Sequence, residues 1–327
     1  MNLSRRRMLQ LSGGGFGALA LNSLLHADGA LAATPSANPL AARAPHFAPR
    51  AKAVIFLFMY GGPSHVDLFD PQPELEKWHG KPIPVWKPED AFMGRKTQNV
   101  AMKSYYEFAR HGRAGVDIAS PYPLLARHAD ELCVIRSMHT ESINHGPGVT
   151  FMQTGSQIPG RPSFGAWLDY GLGAENENLP SFVVLLTKDK KGQPLMSHLW
   201  GSGFLPSRHQ GVRFRSGGDP VLYLGNPAGI SAENRRLALD RLRELHEHQF
   251  AGTPDAEISG RISNYEMAFR LQTSVPEVTD LKGEPDHVID AYGPDARTPG
   301  TYAYNCLLAR RLAERGVRFI QLFHQDW

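Results

Sequence analysis

The residues from Ala53 to Tyr60, AVIFLFMY, are apolar without interruption, and this run constrains the fold more than any other feature of the chain. A strand with one face in water alternates apolar and polar residues, whereas a strand covered on both faces is apolar throughout. The run therefore predicts a central strand of a parallel sheet. Shorter runs at Phe182–Leu186 and Val317–Phe323 predict further buried strands.

Helical patterns separate the predicted strands. Helices are expected over Ser163–Leu172 and Thr301–Arg315, and two more after residue 230. The second of that pair, from about Asp255, is expected to turn four side chains inward, those of Ile258, Ile262, Tyr265 and Phe269. The alternation predicts a doubly wound, mostly parallel α/β sheet with helices on both faces.

The domain is predicted to span residues 51–327, with a helical insertion at about 230–275. Residues 70–115 contain five prolines and are expected to form irregular surface loops. The chain ends at Trp327, directly after the last predicted strand, so we expect the sheet to be incomplete at its C-terminal end.

The N-terminus has the pattern of an export signal. Arginines 5–7 precede a short apolar segment, and Ala30-Leu-Ala32 offers a cleavage site with small residues. The paired arginines resemble a twin-arginine signal peptide, which we assign to residues 1–33 and which implies the twin-arginine translocase as a partner. Residues 34–50 are rich in Ala and Pro and are predicted to be a linker. The protein is expected to be periplasmic or secreted.

The sequence predicts neither a membrane span nor nucleic-acid binding. Nowhere are there about 18 consecutive apolar residues, so no membrane span is predicted. Removal of the signal peptide would take away three arginines and one aspartate, which lowers the formal net charge of +3 to about +1. So small a positive charge gives no sign of nucleic-acid binding.

One stretch, Leu132–Gly155, combines a strand pattern, a polar turn and a helix start. Leu132–Met138 is apolar and of strand type, Pro147 is typical of the first turn of a helix, and Asn144 and His145 lie between them. In open α/β sheets, ligands bind where strands end and helices begin. The stretch is therefore a candidate site, although an ordinary strand-to-helix connection has the same pattern.

Histidine and acidic residues follow the predicted strands at three places, which are Ser64-His65-Val66-Asp67, His139–His145 and His324-Gln325-Asp326. Because the carboxyl ends of parallel strands share one edge, these groups could converge there. Imidazole and carboxylate are ligands of zinc. The pattern predicts a divalent metal, most simply zinc, on His65, Asp67, His324 and Asp326, although each group alone is more often structural.

Three arginines in a Gly- and Pro-rich region could recognise an anion, namely Arg208, Arg213 and Arg215. The guanidinium group presents a planar fork of donors that suits phosphate or sulfate. A solvated basic loop is the alternative. The chain also lacks three motifs of common enzymes. It has no Walker A motif, no H-E-x-x-H and no G-x-S-x-G, which argues against a P-loop NTPase, a zincin metalloprotease and a serine α/β-hydrolase, respectively.

The segment from His145 to Gly155, HGPGVTFMQTG, is similar to the sulfatase signature C-x-P-S-R-x-x-L-x-T-G. The chain also resembles a twin-arginine-exported bacterial family, domain-of-unknown-function family 1501, which is distantly similar to the alkaline phosphatase and sulfatase superfamily. The motifs that carry this resemblance are MYGGPSHVDLFDPQP (59–73), RSMHTESINHGPGVTFMQTG (136–155), RPSFGAWLDYGLG (161–173), NLPSFVVL (178–185) and GFLPSRHQGVRF (203–214).

The resemblance implies an alkaline-phosphatase-like core and a metal-dependent hydrolase of sulfate or phosphate esters. The substrate would be a small anionic ester or a sulfated or phosphorylated glycan. His145, at the position of the superfamily nucleophile, would be the catalytic residue, whether as nucleophile, metal ligand or acid/base. Asn144 and the three arginines would bind substrate. Because His145, Gly148 and Val149 replace the Cys, Ser and Arg of the signature, the alternative is a non-catalytic exported binding or surface-assembly protein.

Overall fold

The computed structural model describes residues 40–82, 100–187, 195–215, 220–221, 225–250 and 256–325. The predicted signal peptide, 1–33, and the predicted metal ligand Asp326 lie outside the described residues. Of the predicted linker, residues 40–50 are described, and Ala41 forms a parallel bridge with Ala174. Within the described residues there is no helix of the length and apolar character that a membrane crossing requires.

The strands of the described residues are β1 (Val54–Met59), β2 (Phe108–His111), β3 (Val116–Ala119), β4 (Phe182–Leu186), β5 (Val212–Phe214) and β6 (Phe319–His324). The α-helices there are α1 (Glu74–Trp78), α2 (His145–Thr154), α3 (Phe164–Leu172), α4 (Ala232–Phe250), α5 (Ala256–Thr279), α6 (Asp286–Asp290) and α7 (Tyr302–Glu314). Short 3₁₀ turns cover His65–Asp67, Leu125–Glu131, Ser197–Trp200, Ser207–His209 and Pro294–Arg297.

Four of these strands form a parallel sheet in the order β1-β6-β4-β5. The last strand, β6, lies between β1 and β4, so that Leu322 is in register with Leu57 on one side and Leu185 on the other. The strands β2 and β3 form a separate antiparallel pair. A mostly parallel α/β sheet, as predicted, is therefore confirmed.

The two faces of the sheet pack against different helices because strand side chains alternate between faces. On one face Val183, Leu185 and Ile320 belong to a buried cluster with residues of α5 and α7. On the other face Phe182, Val184 and Phe319 pack with Val149 of α2 and with the 197–200 turn. The apolar runs of β4 and β6 are thus explained by burial on both faces.

A buried arginine joins the two helices that cover the first of these faces. Arg311 of α7 is 5% exposed, and its guanidinium donates to the carbonyl oxygens of Glu277, Val278 and Asp280 at the C-terminal end of α5. The last carbonyls of a helix have no partner within the helix, so a cation that bonds them also meets the negative end of the helix dipole. Glu284 completes the neutralisation of this charge.

Three sequence-based predictions about strands are wrong. The strand β1 lies at an end of the sheet rather than at its centre, and among the described residues it pairs with β6 alone; its Leu57 is 46% exposed. Leu132–Met138 forms no strand. The hairpin β2–β3 occupies part of the region predicted to be irregular, and β5 was also not predicted.

The predicted inward stripe of α5 is on the wrong side of the helix. Tyr265 is 50% exposed, and the buried apolar residues described there are Leu271, Val275 and Val278. These three residues recur at the helical spacings of four and three, but at about 100° per residue they lie on roughly the opposite side of the helix from the predicted stripe, which includes Tyr265. The helix pair itself, predicted at about 230–275, is present as α4 and α5.

The packing of α3 on β4 gives a test of this fold. A β-carbon on Gly165 would lie 2.5 Å from Cζ of Phe182, whereas one on Gly171 in the same helix would meet nothing within 4 Å. We expect Gly165→Ala to lower the free energy of unfolding by about 1–3 kcal/mol, the usual cost of overpacking. Gly171→Ala should raise it by roughly 0.5–1 kcal/mol, because alanine favours the helix. Chemical denaturation measures both, and equal effects would contradict this packing.

Candidate functional site at the carboxyl edge of the sheet

Three neighbouring strands end side by side at the carboxyl edge of the sheet. The backbone N–H of Tyr60 donates to the carbonyl oxygen of His324 at 2.8 Å, and that of Thr187 donates to Phe323 at 3.1 Å. The residues at the carboxyl ends of β1, β6 and β4 are therefore neighbours in space. This is the edge at which ligands of open α/β sheets bind.

His324 ends β6 within this edge. Its Nδ1 lies 3.3 Å from the hydroxyl of Thr187, and its ring lies 4.5 Å from the Tyr302 ring, centroid to centroid, at a tilt of 32°. Burial, reinforced by the adjacent Cys306 thiol, raises the pKa of Tyr302 well above its ordinary value. Tyr302 is therefore a neutral hydroxyl at physiological pH. Neither Thr187 nor Tyr302 was predicted. The pairing of β4 with β6 brings Thr187 to His324, and the packing of α7 against β6 brings Tyr302 there, so neither position gives a local signal in the sequence.

The predicted catalytic residue, His145, is the first residue of α2 and is exposed. It lies against the turn that follows β1: a β-carbon added to Gly61 would be 3.9 Å from both Cε1 and Nδ1 of the imidazole. Gly61 and Gly62 have φ angles of +95° and +73°, which glycine adopts readily. The head of α2 and the end of β1 thus form one surface.

The first turn of α2 is suited to bind an anion. The first backbone N–H groups of a helix have no partner within it and carry the positive end of the helix dipole. In α2 these are the N–H groups of His145 and Gly146, because Pro147 has none. Asn144 is the N-cap in an extended conformation, and its side chain makes no capping hydrogen bond. Gly148 closes the turn by donating to the carbonyl oxygen of Asn144 at 3.0 Å.

A buried threonine anchors this turn to the rest of the fold. The hydroxyl of Thr150 donates to the carbonyl oxygen of Gly146 at 2.8 Å, and Nε2 of His198 lies 3.2 Å from the same hydroxyl oxygen. Because the single hydroxyl proton is already used, His198 must be the donor, so its Nε2 carries a hydrogen. Sequence reasoning missed His198, which reaches α2 from a distant 3₁₀ turn.

The predicted metal ligands after β1 lie in the 3₁₀ turn His65–Asp67. Hydrogen bonds from the hydroxyls of Ser64 and Ser104 lower the pKa of the Asp67 carboxyl, with a smaller contribution from His65. The His65 side chain is 77% exposed and lies 4.0 Å from the carboxylate of Asp70. Asp67 is therefore an anion held by two hydroxyl donors.

The structure does not assemble the whole predicted metal site from the residues that it describes. Among them, no three His, Cys, Asp or Glu side chains come close enough together to hold a metal ion. The fourth predicted ligand, Asp326, lies outside the described residues. The metal site stays a prediction.

The three predicted anion-binding arginines do not share one edge. Arg208 precedes β5 and lines a cleft with Phe182 and Val212, the first residues of β4 and β5, so it lies at the amino edge of the sheet. Arg213 is within β5, in register with Val184, and is exposed. Arg215 directly follows β5 and is the one of the three at the carboxyl edge.

Comparison with known proteins places the chain in a family. The model of a family described as "Protein of unknown function (DUF1501)" matches residues 51–327. No curated protein and no solved structure gives a significant match. The match confirms the family resemblance predicted from the motifs, whereas the similarity to the sulfatase signature stays a prediction.

The two hydroxyl donors on Asp67 can be tested by titration. We expect Ser104→Ala to raise the pKa of the Asp67 carboxyl toward its ordinary value, because one donor to the carboxylate is lost. Carboxyl ¹³C NMR against pH measures this pKa in the variant and in the wild type. Ser137→Ala, on an exposed turn, is the control and should leave it unchanged. An unaltered pKa in Ser104→Ala would show that the hydrogen bond is absent in solution.

Proposed function

The chain belongs to the DUF1501 family of proteins of unknown function, and on that premise we propose that it is an exported, metal-dependent hydrolase of phosphate or sulfate esters. The observation that carries the proposal is the position of His145 at the head of α2, beside Gly61 at the end of β1. A helix start next to parallel strand ends is a favourable place for an anionic ester.

The ester anion would be bound by the head of α2. Backbone N–H groups there stabilise negative charge, and they would stabilise more of it as charge grows on the oxygens in the transition state. Asn144 supports this role, because its side chain is exposed at the head of the helix and makes no capping bond. Arg215 follows β5, which lies about 14 Å from β1 across three strand spacings, so it would contact the distal part of a larger substrate. A small phosphate or sulfate ester or a phosphorylated or sulfated glycan is the expected substrate class.

His145 would act as the proton-transfer residue. It is exposed and lies at the anion-binding end of the helix, which puts its imidazole within reach of a water molecule or a leaving oxygen. In the proposed reaction it accepts a proton from the attacking water as the new bond to phosphorus or sulfur forms. The ester oxygen leaves with the bonding pair and takes up a proton from solvent water, and His145 releases the proton that it accepted to solvent. Positioned acid–base groups of this kind accelerate reactions by about 10²–10⁴-fold.

The proposal assigns a divalent metal, zinc by ligand type, to His65, Asp67, His324 and Asp326. When bound, such an ion acts as a Lewis acid toward the ester oxygens. His65, Asp67 and His324 do not come close enough together in the described structure to share one ion, so the proposal requires these three side chains to converge with Asp326 when the metal binds. Export by the twin-arginine translocase, to the periplasm or the medium, is supported by the pattern of residues 1–33 alone.

A panel of nitrophenyl phosphate and sulfate esters, together with elemental analysis of the purified full chain, tests this proposal. We expect bound metal and ester hydrolysis in the wild type, and a loss of about 100-fold or more in kcat/KM for His145→Ala. His128→Ala, which removes a histidine whose side chain is 62% exposed and pairs with Glu131, should behave as the wild type. Absence of metal together with unchanged activity in His145→Ala would refute the proposal.

A specific observation favours the second candidate, a non-catalytic exported binding or surface-assembly protein. Two of the positions that differ from the sulfatase signature, those of its Ser and Arg, cannot contact an ester through polar side chains, because Gly148 has none and Val149 is buried in the core at 6% exposure. For this candidate we expect the same esters to bind to the wild type more tightly than to His145→Ala without being hydrolysed. Calorimetry of the same variants separates the two functions.

A further inference from the structure

A cleft of about 420 Å³ lies between the β2–β3 hairpin and the segment that follows it, outside the four-stranded sheet. Its volume falls within the range of about 300–1,000 Å³ that is usual for small-molecule pockets. Among the residues that the structure describes, none of those assigned to ester hydrolysis lines it. The cleft is therefore separate from the candidate hydrolase site.

One face of the hairpin forms a wall of this cleft. Ala109 of β2 is in register with Ile118 of β3, and the backbone N–H of Ser120 donates to the carbonyl oxygen of Glu107 at 2.9 Å. Because side chains alternate along a strand, these four residues lie on the same face, and His111 follows on that face at the hairpin end. All five line the cleft. The wall is thus apolar at its centre and polar at its ends.

The segment after the hairpin forms the facing wall. Tyr122, Pro123 and Ala126 line it, and Arg127 lines it from the 3₁₀ turn Leu125–Glu131. The ring of Tyr122 stacks on that of Phe69, with centroids 5.8 Å apart and planes 16° apart. This wall therefore offers an apolar surface beside a guanidinium.

Contacts at the ends of the hairpin hold the two walls in place. The backbone N–H of Arg113 donates to Oδ1 of Asp130 at 2.6 Å, and a β-carbon on Gly112 would lie 2.6 Å from the same oxygen. The hairpin turn and the 3₁₀ turn are therefore in close contact. At the other end, the N–H of Ala119 donates to the carbonyl oxygen of Leu68 at 2.9 Å. A cleft formed in advance lowers the entropic cost of binding a ligand.

The two charged side chains that line the cleft, those of Glu107 and Arg127, are of opposite sign and do not pair with each other. Within the described part of the chain, neither side chain makes a hydrogen bond or an ion pair. The acid one helical turn beyond Arg127, Glu131, lies 3.5 Å from His128 instead. A carboxylate and a guanidinium that share a cleft without meeting can each receive a group of the opposite charge.

We propose that this cleft binds a small zwitterion with an apolar side chain, which is the chemistry of an apolar amino acid or a short apolar peptide. The ammonium lies on the carboxylate of Glu107, and the ligand's carboxylate lies on the planar fork of Arg127. The apolar side chain packs against Ala109 and Ile118. A simple anion would meet Glu107 and a simple cation would meet Arg127, so the lining favours a ligand that carries both charges.

Calorimetric titration of the full chain with leucine and with leucyl-leucine tests this site, and the tighter of the two identifies the amino acid or the peptide as the ligand. We expect Glu107→Gln and Arg127→Gln each to weaken binding by roughly fivefold, the size expected for an ion pair near water. Ala109→Leu should weaken it too, because the longer side chain fills the centre of the cleft.

Two matched controls remove the same charges from exposed positions that do not line the cleft. Arg113→Gln and Glu131→Gln should bind both probes as the wild type does. Circular dichroism of every variant separates lost binding from lost structure.

Derivatives of the tighter probe test the two charges on the unaltered protein, so the result does not depend on the folding of a variant. The N-acetyl derivative has no ammonium and the amide derivative has no carboxylate, and each should bind more weakly than the parent probe. Glu107→Gln should not weaken the N-acetyl derivative further, nor Arg127→Gln the amide. The proposal is overturned if neither probe binds, if both charge variants bind as the wild type does, or if both derivatives bind as well as the parent.

Discussion

The position of β6 between β1 and β4 is the constraint on which the rest of the described structure depends. This last strand forms parallel ladders on both sides, and its residues from Phe319 to Phe323 are almost completely buried. Ile320 and Leu322 pack in the hydrophobic cluster on one face of the sheet, whereas Phe319 and Phe323 pack in the cluster on the other face. Without β6, β1 would have no partner among the described strands, and the two helix layers would lose the surface against which they pack.

The same strand determines what the carboxyl edge contains. Its pairing puts His324 between the end of β1 and Thr187 at the end of β4. The head of α2 lies at this edge beside the turn after β1, whose two glycines have positive φ; a β-carbon on Gly61 would be in ordinary van der Waals contact with the His145 ring. The candidate site is therefore a product of strand order and of the position of α2 beside this turn.

At the amino edge of the sheet, the polar side chains are held by buried hydrogen bonds. There, a buried carboxylate, a histidine and an arginine are joined in one hydrogen-bonded chain, and a buried charge of this kind is tolerated only when its bonds are satisfied. Arg208 and Arg215 are close in sequence, yet they lie at opposite edges because the short strand β5 runs between them. Proximity along the chain had suggested one anion site, whereas the direction of β5 separates the two residues.

The sequence by itself determined the fold class, the three apolar strands β1, β4 and β6, the main helices and the family, because continuous burial and helical periodicity are local properties of composition and spacing. It did not determine that β1 lies at an end of the sheet, that Leu132–Met138 is not a strand, or that Tyr265 faces solvent. Strand order and the buried face of a helix depend on which distant segment packs alongside. For the same reason only the tertiary structure could bring His145 to Gly61, His324 to Thr187 and Arg208 to Asp169 through His209.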